Sequence, residues 1–200
     1  MSFRPTTRTA LAGELAARAD KLSGRVRLLV DGPPPADPDG LAAAVVEELR
    51  VRGRSACGVR AADYLRPASL RLEYGHHDED MFLDGWLDIG ALRREVLEPA
   101  RLVLPRLWDA ERDRAFRDDY VDVGEAGVVV LSGALLLGRG LPAELVAHLH
   151  MGRAALGRHT PEQDRWTLPV FDRYERERDP SGEADVLVMA DHPDRPAMRG

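Results

Sequence analysis

Short apolar runs recur along the chain, and longer segments with helical spacing lie between them. The run at 128–131, Val-Val-Val-Leu, is the clearest of these, and a β-branched run of this kind is typical of a strand buried on both faces of a parallel sheet. Further strand candidates are residues 26–30, 56–59, 146–151 and 185–189. Strands that alternate with helices predict an α/β fold, with a parallel sheet of about five strands and helices on both faces.

Four segments have the spacing of amphipathic helices. Apolar residues recur at helical intervals over 9–23, then over 41–52 and again over 87–103. The fourth helix is predicted to begin at Thr160, because threonine is a favoured N-cap and the proline that follows fits the first helical position. It is expected to run to about Arg178.

The loop that follows the strand candidate at 26–30 has the frame of a phosphate-binding loop. That motif reads G-x-x-x-x-G-K-[ST]: its backbone amides cradle the phosphates, its lysine reaches the β and γ groups, and its hydroxyl holds Mg²⁺. With Gly32 as the first glycine, this chain has Asp37, Pro38 and Asp39 in place of the last three residues. Proline removes an amide donor, and two carboxylates repel phosphate. The loop is therefore predicted not to bind a triphosphate in the usual way.

Two interpretations of this turn stay open at the level of sequence. In the first, it is a rigid connection between strand and helix, because consecutive prolines fix the backbone and Asp37 or Asp39 caps the next helix. In the second, it is an altered ligand-binding loop whose helix N-terminus still attracts an anion. The two differ in whether a side chain of the loop itself occupies the positive end of the helix.

Composition sets limits on the class of protein. The 200 residues predict one domain over 1–200, with an N-terminal helix in 1–24, a core over 25–190 and a loose tail over 191–200. The net charge of −6 gives no attraction to nucleic acid or to an anionic membrane. The single cysteine, Cys57, excludes an internal disulfide. No apolar run reaches membrane-spanning length, and a cytoplasmic protein is the expectation.

Six short segments, in a fixed order, carry a family resemblance. They are Val30-Asp31-Gly32, Asp63-Tyr64-Leu65-Arg66-Pro67, the acidic and aromatic stretch from Tyr74 to Asp88, Leu104-Pro105-Arg106-Leu107-Trp108-Asp109, Val129-Val130-Leu131-Ser132-Gly133, and Arg165-Trp166-Thr167-Leu168-Pro169 ahead of Tyr174 and Glu175. In this order the chain resembles the uridine kinase family and its relatives among P-loop nucleoside and pantothenate kinases, especially the uridine-kinase-like proteins of actinobacteria. The resemblance covers about 26–188.

The resemblance implies phosphoryl transfer from ATP, with Mg²⁺, to the 5′-hydroxyl of uridine or cytidine. The family's catalytic base falls here on Ala62, so Asp63 is the remaining candidate, although a shift of one position along an extended chain turns the side chain to the other face. The acidic residue that often follows the central strand is replaced by Ser132. The family's lid arginines, which reach the ATP phosphates, correspond to Arg153, Arg158 and Arg165. Without ATP these arginines are expected to form a solvated face.

The resemblance also implies an acceptor pocket for a nucleoside. The residues that could stack on a base or hydrogen-bond to it are Tyr64, Arg66, Tyr74, Phe82 and Trp86; packing in the core is the alternative role. Two functions follow: a nucleoside kinase impaired by its loop, or a non-catalytic protein that uses the same scaffold to bind a small molecule or a protein partner. The expected ligand is nucleoside-like, with no nucleic acid or membrane partner, and a homo-oligomer stays open.

Two groups of histidines invite a metal-site interpretation, and neither is assigned one. His76 and His77 begin a charged stretch that is expected to be a solvated loop. His148 and His150 share one face of a predicted strand, but no cysteine or third histidine lies nearby in sequence, so a structural role is favoured over a zinc site. Ser132-Gly133 lacks the glycine pattern of a hydrolase nucleophile elbow, which excludes that class.

Overall fold

The apolar runs form the strands of one central sheet. In the computed structural model, which describes residues 3–192 and 195–199, the strands are β1 (Arg4–Pro5), β2 (Val26–Asp31), β3 (Ala56–Arg60), β4 (Leu102–Val103), β5 (Trp108–Asp109), β6 (Arg114–Ala115), β7 (Val121–Asp122), β8 (Val128–Gly133), β9 (Leu145–His150), β10 (Val186–Met189) and β11 (Ala197–Arg199). Seven of them form the main sheet in the order β1-β11-β10-β9-β2-β8-β3, and β4 with β7 and β5 with β6 form two small antiparallel pairs.

The five strands predicted from sequence are the parallel part of this sheet. Strand β2 lies between β8 and β9, and β3 and β10 extend the sheet on either side. Every residue of β2 except Arg27 is buried, as expected for a strand covered on both faces. Strands β1 and β11 add an antiparallel edge next to β10. The predicted α/β architecture is confirmed.

The register of β2 fixes the location of the candidate site. Asp31, the last residue of β2, lies level with Gly133 of β8 on one side and with His148 of β9 on the other. The chain leaves β2 towards β3 on one side, whereas β8 is connected to β9 across β2. Ligands of open α/β sheets bind at such a switch point, outside the carboxyl ends of the strands.

The helices cover the sheet. They are α1 (Arg8–Lys21), α2 (Pro38–Val51), α3 (Ala68–Arg71), α4 (Ile89–Leu92), α5 (Arg153–His159), α6 (Leu168–Arg178) and α7 (Pro180–Glu183). Turns of 3-10 helix occupy Pro34–Ala36, Ala61–Tyr64 and Glu162–Thr167, and π-helical turns occupy Met81–Gly85 and Arg93–Leu97. Helix α1 packs on α2, and its buried stripe includes Leu11, Leu15 and Ala19. None of the helices in the described ranges combines the length and apolar composition of a membrane span.

Two predicted helices differ from the structure. The segment 87–103 forms α4 and one π-helical turn, which ends before β4; Pro99 ends it, because proline cannot donate a backbone bond. Thr160 does not cap the predicted fourth helix: its hydroxyl donates to the Leu156 carbonyl at 2.7 Å, at the end of α5. The α-helix begins only at Leu168.

The chain termini belong to the sheet. The tail over 191–200 is predicted to be loose, but β11 pairs with β10 on one side and with β1 on the other. Residues 193, 194 and 200 of that tail lie outside the described residues. The pairing covers an edge of β10 that would otherwise present unpaired backbone groups.

Candidate functional site

The loop between β2 and α2 is closed by its own side chain. Asp37 adopts a left-handed conformation (φ 54°), and its Oδ1 accepts a hydrogen bond of 2.9 Å from the Gly40 amide at the start of α2. Its Oδ2 lies 2.7 Å from the Arg8 guanidinium. The carboxylate therefore occupies the positive end of the helix, where a phosphate would otherwise bind.

The backbone amides of this loop do not converge on a common point. Four of the nine positions from 32 to 40 are proline and have no amide hydrogen. Four more amides donate within the protein: Gly32 to Gly133, Ala36 to Pro33, Asp37 to Pro34, and Gly40 to the Asp37 side chain. At most the amide of Asp39 remains for a ligand. A phosphate cradle requires several amides directed at one anion.

A hydroxyl and a carboxylate form a hydrogen bond at the carboxyl end of β8. Ser132, near the end of β8, donates a hydrogen bond of 2.6 Å to Asp39 Oδ1. In P-loop NTPases the hydroxyl belongs to the loop and the carboxylate to the strand, and together they hold Mg²⁺. Here the two groups are exchanged between the same elements. This pairing is not apparent from sequence, where each position reads only as the loss of a functional group.

Asp63 does not line the cavity beside the loop. Its carboxylate accepts two hydrogen bonds from Arg60, at 2.8 and 3.0 Å, and it is buried. Ala62, one residue earlier, lines the cavity beside the loop together with Asp39, and Asp63 is not among the described residues that line it. Residues Ala61–Tyr64 form a 3-10 turn and not the extended segment assumed from sequence, and the pair with Arg60 holds the Asp63 carboxylate. A catalytic role for Asp63 stays a prediction.

An aromatic cleft of about 760 Å³ lies beside the loop, between the segment 71–86 and the start of α6. The rings of Phe82 and Trp86 meet edge to face at 4.9 Å, and Trp166 lies 5.1 Å from Phe82. Phe171 and the loop residue Pro34 complete this part of the wall. Aromatic walls of this kind bind flat, partly polar rings such as a nucleobase.

Two polar groups face or flank this cleft. Trp86 Nε1 is buried and has no hydrogen-bond partner among the described residues. The guanidinium of Arg71 lies 5.2 Å from the centre of the Trp86 ring, and Nε of Arg71 donates to the Arg66 carbonyl. A buried indole N–H without a partner carries an energetic cost unless a ligand accepts from it.

The predicted acceptor residues divide into two groups. Phe82 and Trp86 line the cleft. Tyr64 is fully buried and donates to the Leu104 carbonyl at 2.6 Å, and burial raises the pKa of its phenol. Tyr74 is exposed, and Arg66 contributes its backbone carbonyl to Arg71. The residues that sequence reasoning missed are Trp166, Phe171 and Arg71, which the fold brings in from distant segments.

The predicted lid arginines lie together. Arg153, Arg158 and Arg165 border one shallow surface depression formed by α5 and the start of α6. Arg153 Nε is 3.4 Å from Asp172, and Arg165 is 3.8 Å from Glu162. Both pairs include a largely exposed arginine and contribute little to stability. Their role towards a phosphate stays a prediction.

A buried polar network lies on the other side of the loop. Asp31 is fully buried, and its carboxylate accepts from the Leu136 amide at 2.8 Å and from the Tyr174 hydroxyl at 3.0 Å. Nδ1 of His148 lies 2.7 Å from Asp31 Oδ2, and Nε2 of the same ring lies 3.1 Å from Glu175 Oε1. His150 Nδ1 lies 3.3 Å from the same Glu175 oxygen.

Charge compensation explains the ionisation of this network. Burial lowers the pKa of His148, but its hydrogen bonds to Asp31 and Glu175 outweigh burial and raise that pKa to about 9. Burial raises the pKa of Glu175, whereas its contacts with His148 and His150 outweigh burial and lower it to about 2. Desolvation is the main cause of a raised pKa at Tyr174. The sequence places the two histidines on one face, but gives no sign that a carboxylate joins them.

Solved structures share this architecture. A possible uridine kinase from Bacillus stearothermophilus superposes with a TM-score of 0.71 at 18% identity, over 88% of this chain and 96% of that one. This chain has the fold of that protein. A candidate fructose transport system kinase from Silicibacter sp. TM1040 matches with a TM-score of 0.56 at 20% identity, over 88% and 91% of the two chains.

The YGR205w protein also matches, with a TM-score of 0.61 at 11% identity, over 97% of this chain and 99% of that one. No protein-family model and no curated protein matches the sequence. At such low identities the likeness concerns the fold, and the function has to be argued from the residues of the cleft and the loop.

Proposed function

We propose that this protein is a uridine-kinase-like protein of the actinobacterial type that binds a nucleoside-like ligand in its aromatic cleft, and that its degenerate Walker A loop impairs phosphoryl transfer from ATP. The observation that carries the proposal is the loop itself, in which the Asp37 carboxylate caps α2 and at most one amide of residues 32–40 is left for a phosphate. Mg²⁺ and ATP are therefore not expected to bind as they do in an active P-loop kinase.

The cleft supports the ligand half of this proposal. Phe82, Trp86 and Trp166 line the cleft and offer ring faces and edges for stacking. Stacking of a base on an aromatic side chain is worth about 1 to 3 kcal/mol. Loss of one such ring is therefore expected to weaken binding by about five- to 150-fold, since 1.4 kcal/mol corresponds to a factor of ten.

Residual kinase activity is the second candidate, and one contact favours it. The hydrogen bond between Ser132 and Asp39 keeps a hydroxyl and a carboxylate next to each other, and Asp39 lines the cavity beside the loop. In this alternative they bind Mg²⁺, Asp63 acts as base, and Arg153, Arg158 and Arg165 screen the phosphate charge. Asp63 would first have to leave its pair with Arg60.

Calorimetric titrations with uridine and with Mg-ATP test the two halves separately. We expect saturable binding of uridine, about tenfold weaker in Trp166→Ala and unchanged in Tyr74→Ala, whose side chain is exposed outside the cleft. We expect no Mg-ATP binding at millimolar concentration. Saturable, Mg²⁺-dependent binding of ATP would overturn the impaired loop, and absence of nucleoside binding would overturn the ligand assignment.

A loop restoration gives the matched control for ATP. The triple variant Asp37→Gly, Pro38→Lys, Asp39→Thr recreates the glycine, lysine and hydroxyl of the motif and removes the carboxylate cap from α2. Stronger Mg-ATP binding by this variant than by the wild-type chain would support the role assigned to these three positions. Equal binding by both would contradict it.

A further inference from the structure

We propose that His148, His150 and Glu175 form a binding site for a divalent transition-metal ion of the zinc class, with Asp31 as the residue that orients His148. The site lies at the carboxyl end of β9, in a cavity whose described lining shares only Phe171 with the aromatic cleft. The proposal is independent of nucleoside or ATP binding.

Two secondary-structure elements bring the three side chains together. His148 and His150 alternate on β9 and therefore share one face of the strand. Glu175 comes from α6, which packs over that face. One ligand atom from each residue lies within 4.8 Å of the other two. Two histidines and one glutamate are a known donor set for Zn²⁺.

The distances from the Glu175 carboxylate to the two histidine nitrogens suit a tetrahedral ion. Glu175 Oε1 is 3.1 Å from His148 Nε2 and 3.3 Å from His150 Nδ1. An ion bound at about 2.0 to 2.1 Å from each ligand has ligand atoms about 3.3 Å apart along the edges of its tetrahedron. Small rotations of the three side chains would therefore be enough for them to bind one ion.

Asp31 holds the ring of His148 in the orientation that a metal ion requires. Its buried carboxylate accepts a hydrogen bond from Nδ1–H of His148 and leaves Nε2 directed at Glu175. Two donors, the Leu136 amide and the Tyr174 hydroxyl, hold that carboxylate in place. Metal-binding histidines usually donate their second ring nitrogen to such a carboxylate, which fixes the tautomer and makes the ring a better ligand.

His150 supplies an independent indication of a missing ligand. Its Nδ1 is buried, yet it has no hydrogen-bond partner among the described residues. The nearby Glu175 oxygen, at 3.3 Å, is close enough for an ion pair but does not meet the geometry of a hydrogen bond. A metal ion between the two atoms would bind both and remove the cost of the unpaired nitrogen.

Charge and access are consistent with a divalent cation. An ion that binds Nε2 of His148 displaces the proton on that nitrogen. With both imidazoles then neutral, the carboxylates of Asp31 and Glu175 give the cluster a charge of −2, which one divalent cation balances. The three ligands border a cavity of about 330 Å³ that also includes Gly32 and Gly152. Three protein ligands with space beside them leave a fourth position for water or another small ligand.

Titration of metal-free protein tests the site. The full-length chain, prepared without a histidine tag and dialysed against EDTA, is titrated with Zn²⁺ by calorimetry and with Co²⁺ by visible absorption. We expect one ion per chain and an intense tetrahedral Co²⁺ spectrum. The absence of saturable binding, or a stoichiometry carried by other residues, would overturn the proposal.

Variants assign the ligands. His150→Gln removes a ligand whose ring makes no hydrogen bond in the described structure, so this variant is expected to fold and to lose Zn²⁺ affinity by at least tenfold. Glu175→Gln is expected to lose the tetrahedral Co²⁺ spectrum, and His192→Gln, an exposed histidine outside the site, should bind as the wild-type chain does. Wild-type affinity in His150→Gln would overturn the assignment, because the cluster would then be only a buried ion pair.

Discussion

Replacement of Asp31 by asparagine would remove a charge from the centre of the buried network while conserving the size of the side chain. The asparagine oxygen can still accept from the Leu136 amide, but its NH₂ group then faces the Tyr174 hydroxyl and His148 Nδ1, both of which donate to Asp31 in the wild-type chain. One buried donor without an acceptor costs about 1 to 3 kcal/mol, and removal of one partner from a buried ion pair costs about 3 to 5 kcal/mol. These costs overlap, so we expect the free energy of unfolding to fall by about 3 to 5 kcal/mol.

Urea denaturation in EDTA measures this loss, because the chelator removes any contribution from bound metal. Tyr174→Phe serves as the milder comparison: it leaves the charge pair and removes only the hydroxyl that joins Asp31 to the Leu137 amide, at an expected cost of about 1 to 3 kcal/mol. The m-value should stay near that of the wild-type chain, since the surface exposed on unfolding is unchanged. An Asp31→Asn variant within about 1 kcal/mol of wild type, or less destabilised than Tyr174→Phe, would show that the buried charge pair does not contribute this stability.

Three further predictions concern parts of the fold outside the site. Arg54 donates to five backbone carbonyls, four in the segment 19–24 and one at Ala126. Arg54→Met should therefore lower the free energy of unfolding by about 3 kcal/mol. A change below about 1 kcal/mol in urea denaturation would contradict this. Burial raises the pKa of the Cys57 thiol, and a thiol reagent should therefore modify it slowly in the native chain and rapidly in urea, whereas equal rates would contradict its burial. Gly133 has a φ of 150°, and a Cβ atom at this position would lie 2.6 Å from the Ala61 Cβ, so Gly133→Ala should destabilise by about 1 to 3 kcal/mol; an unchanged thermal midpoint would argue against that contact.

Local sequence patterns account for the parallel core of the sheet and for the unusual chemistry of the loop. The five strand runs were visible because burial of a strand on both faces requires apolar residues at consecutive positions. The proline content of 33–38 and the acidic cap at Asp37 were equally local, since fixed dihedral angles and side-chain capping depend on residues only a few positions apart. The five predicted strands are found in the structure, and of the two caps that the sequence left open, Asp37 is the one that forms.

The contacts between distant groups depend on how the helices pack on the sheet. Trp166 joins Phe82 and Trp86 in the cleft, and Glu175 reaches the two histidines of β9, because α6 folds back over the carboxyl end of the sheet. Likewise, the direction of Asp63 depends on Arg60 and on the turn after β3. Hydrophobic periodicity specifies the face that an element buries, but it does not specify which other element covers that face. The polar contacts at this edge of the sheet are therefore consequences of packing.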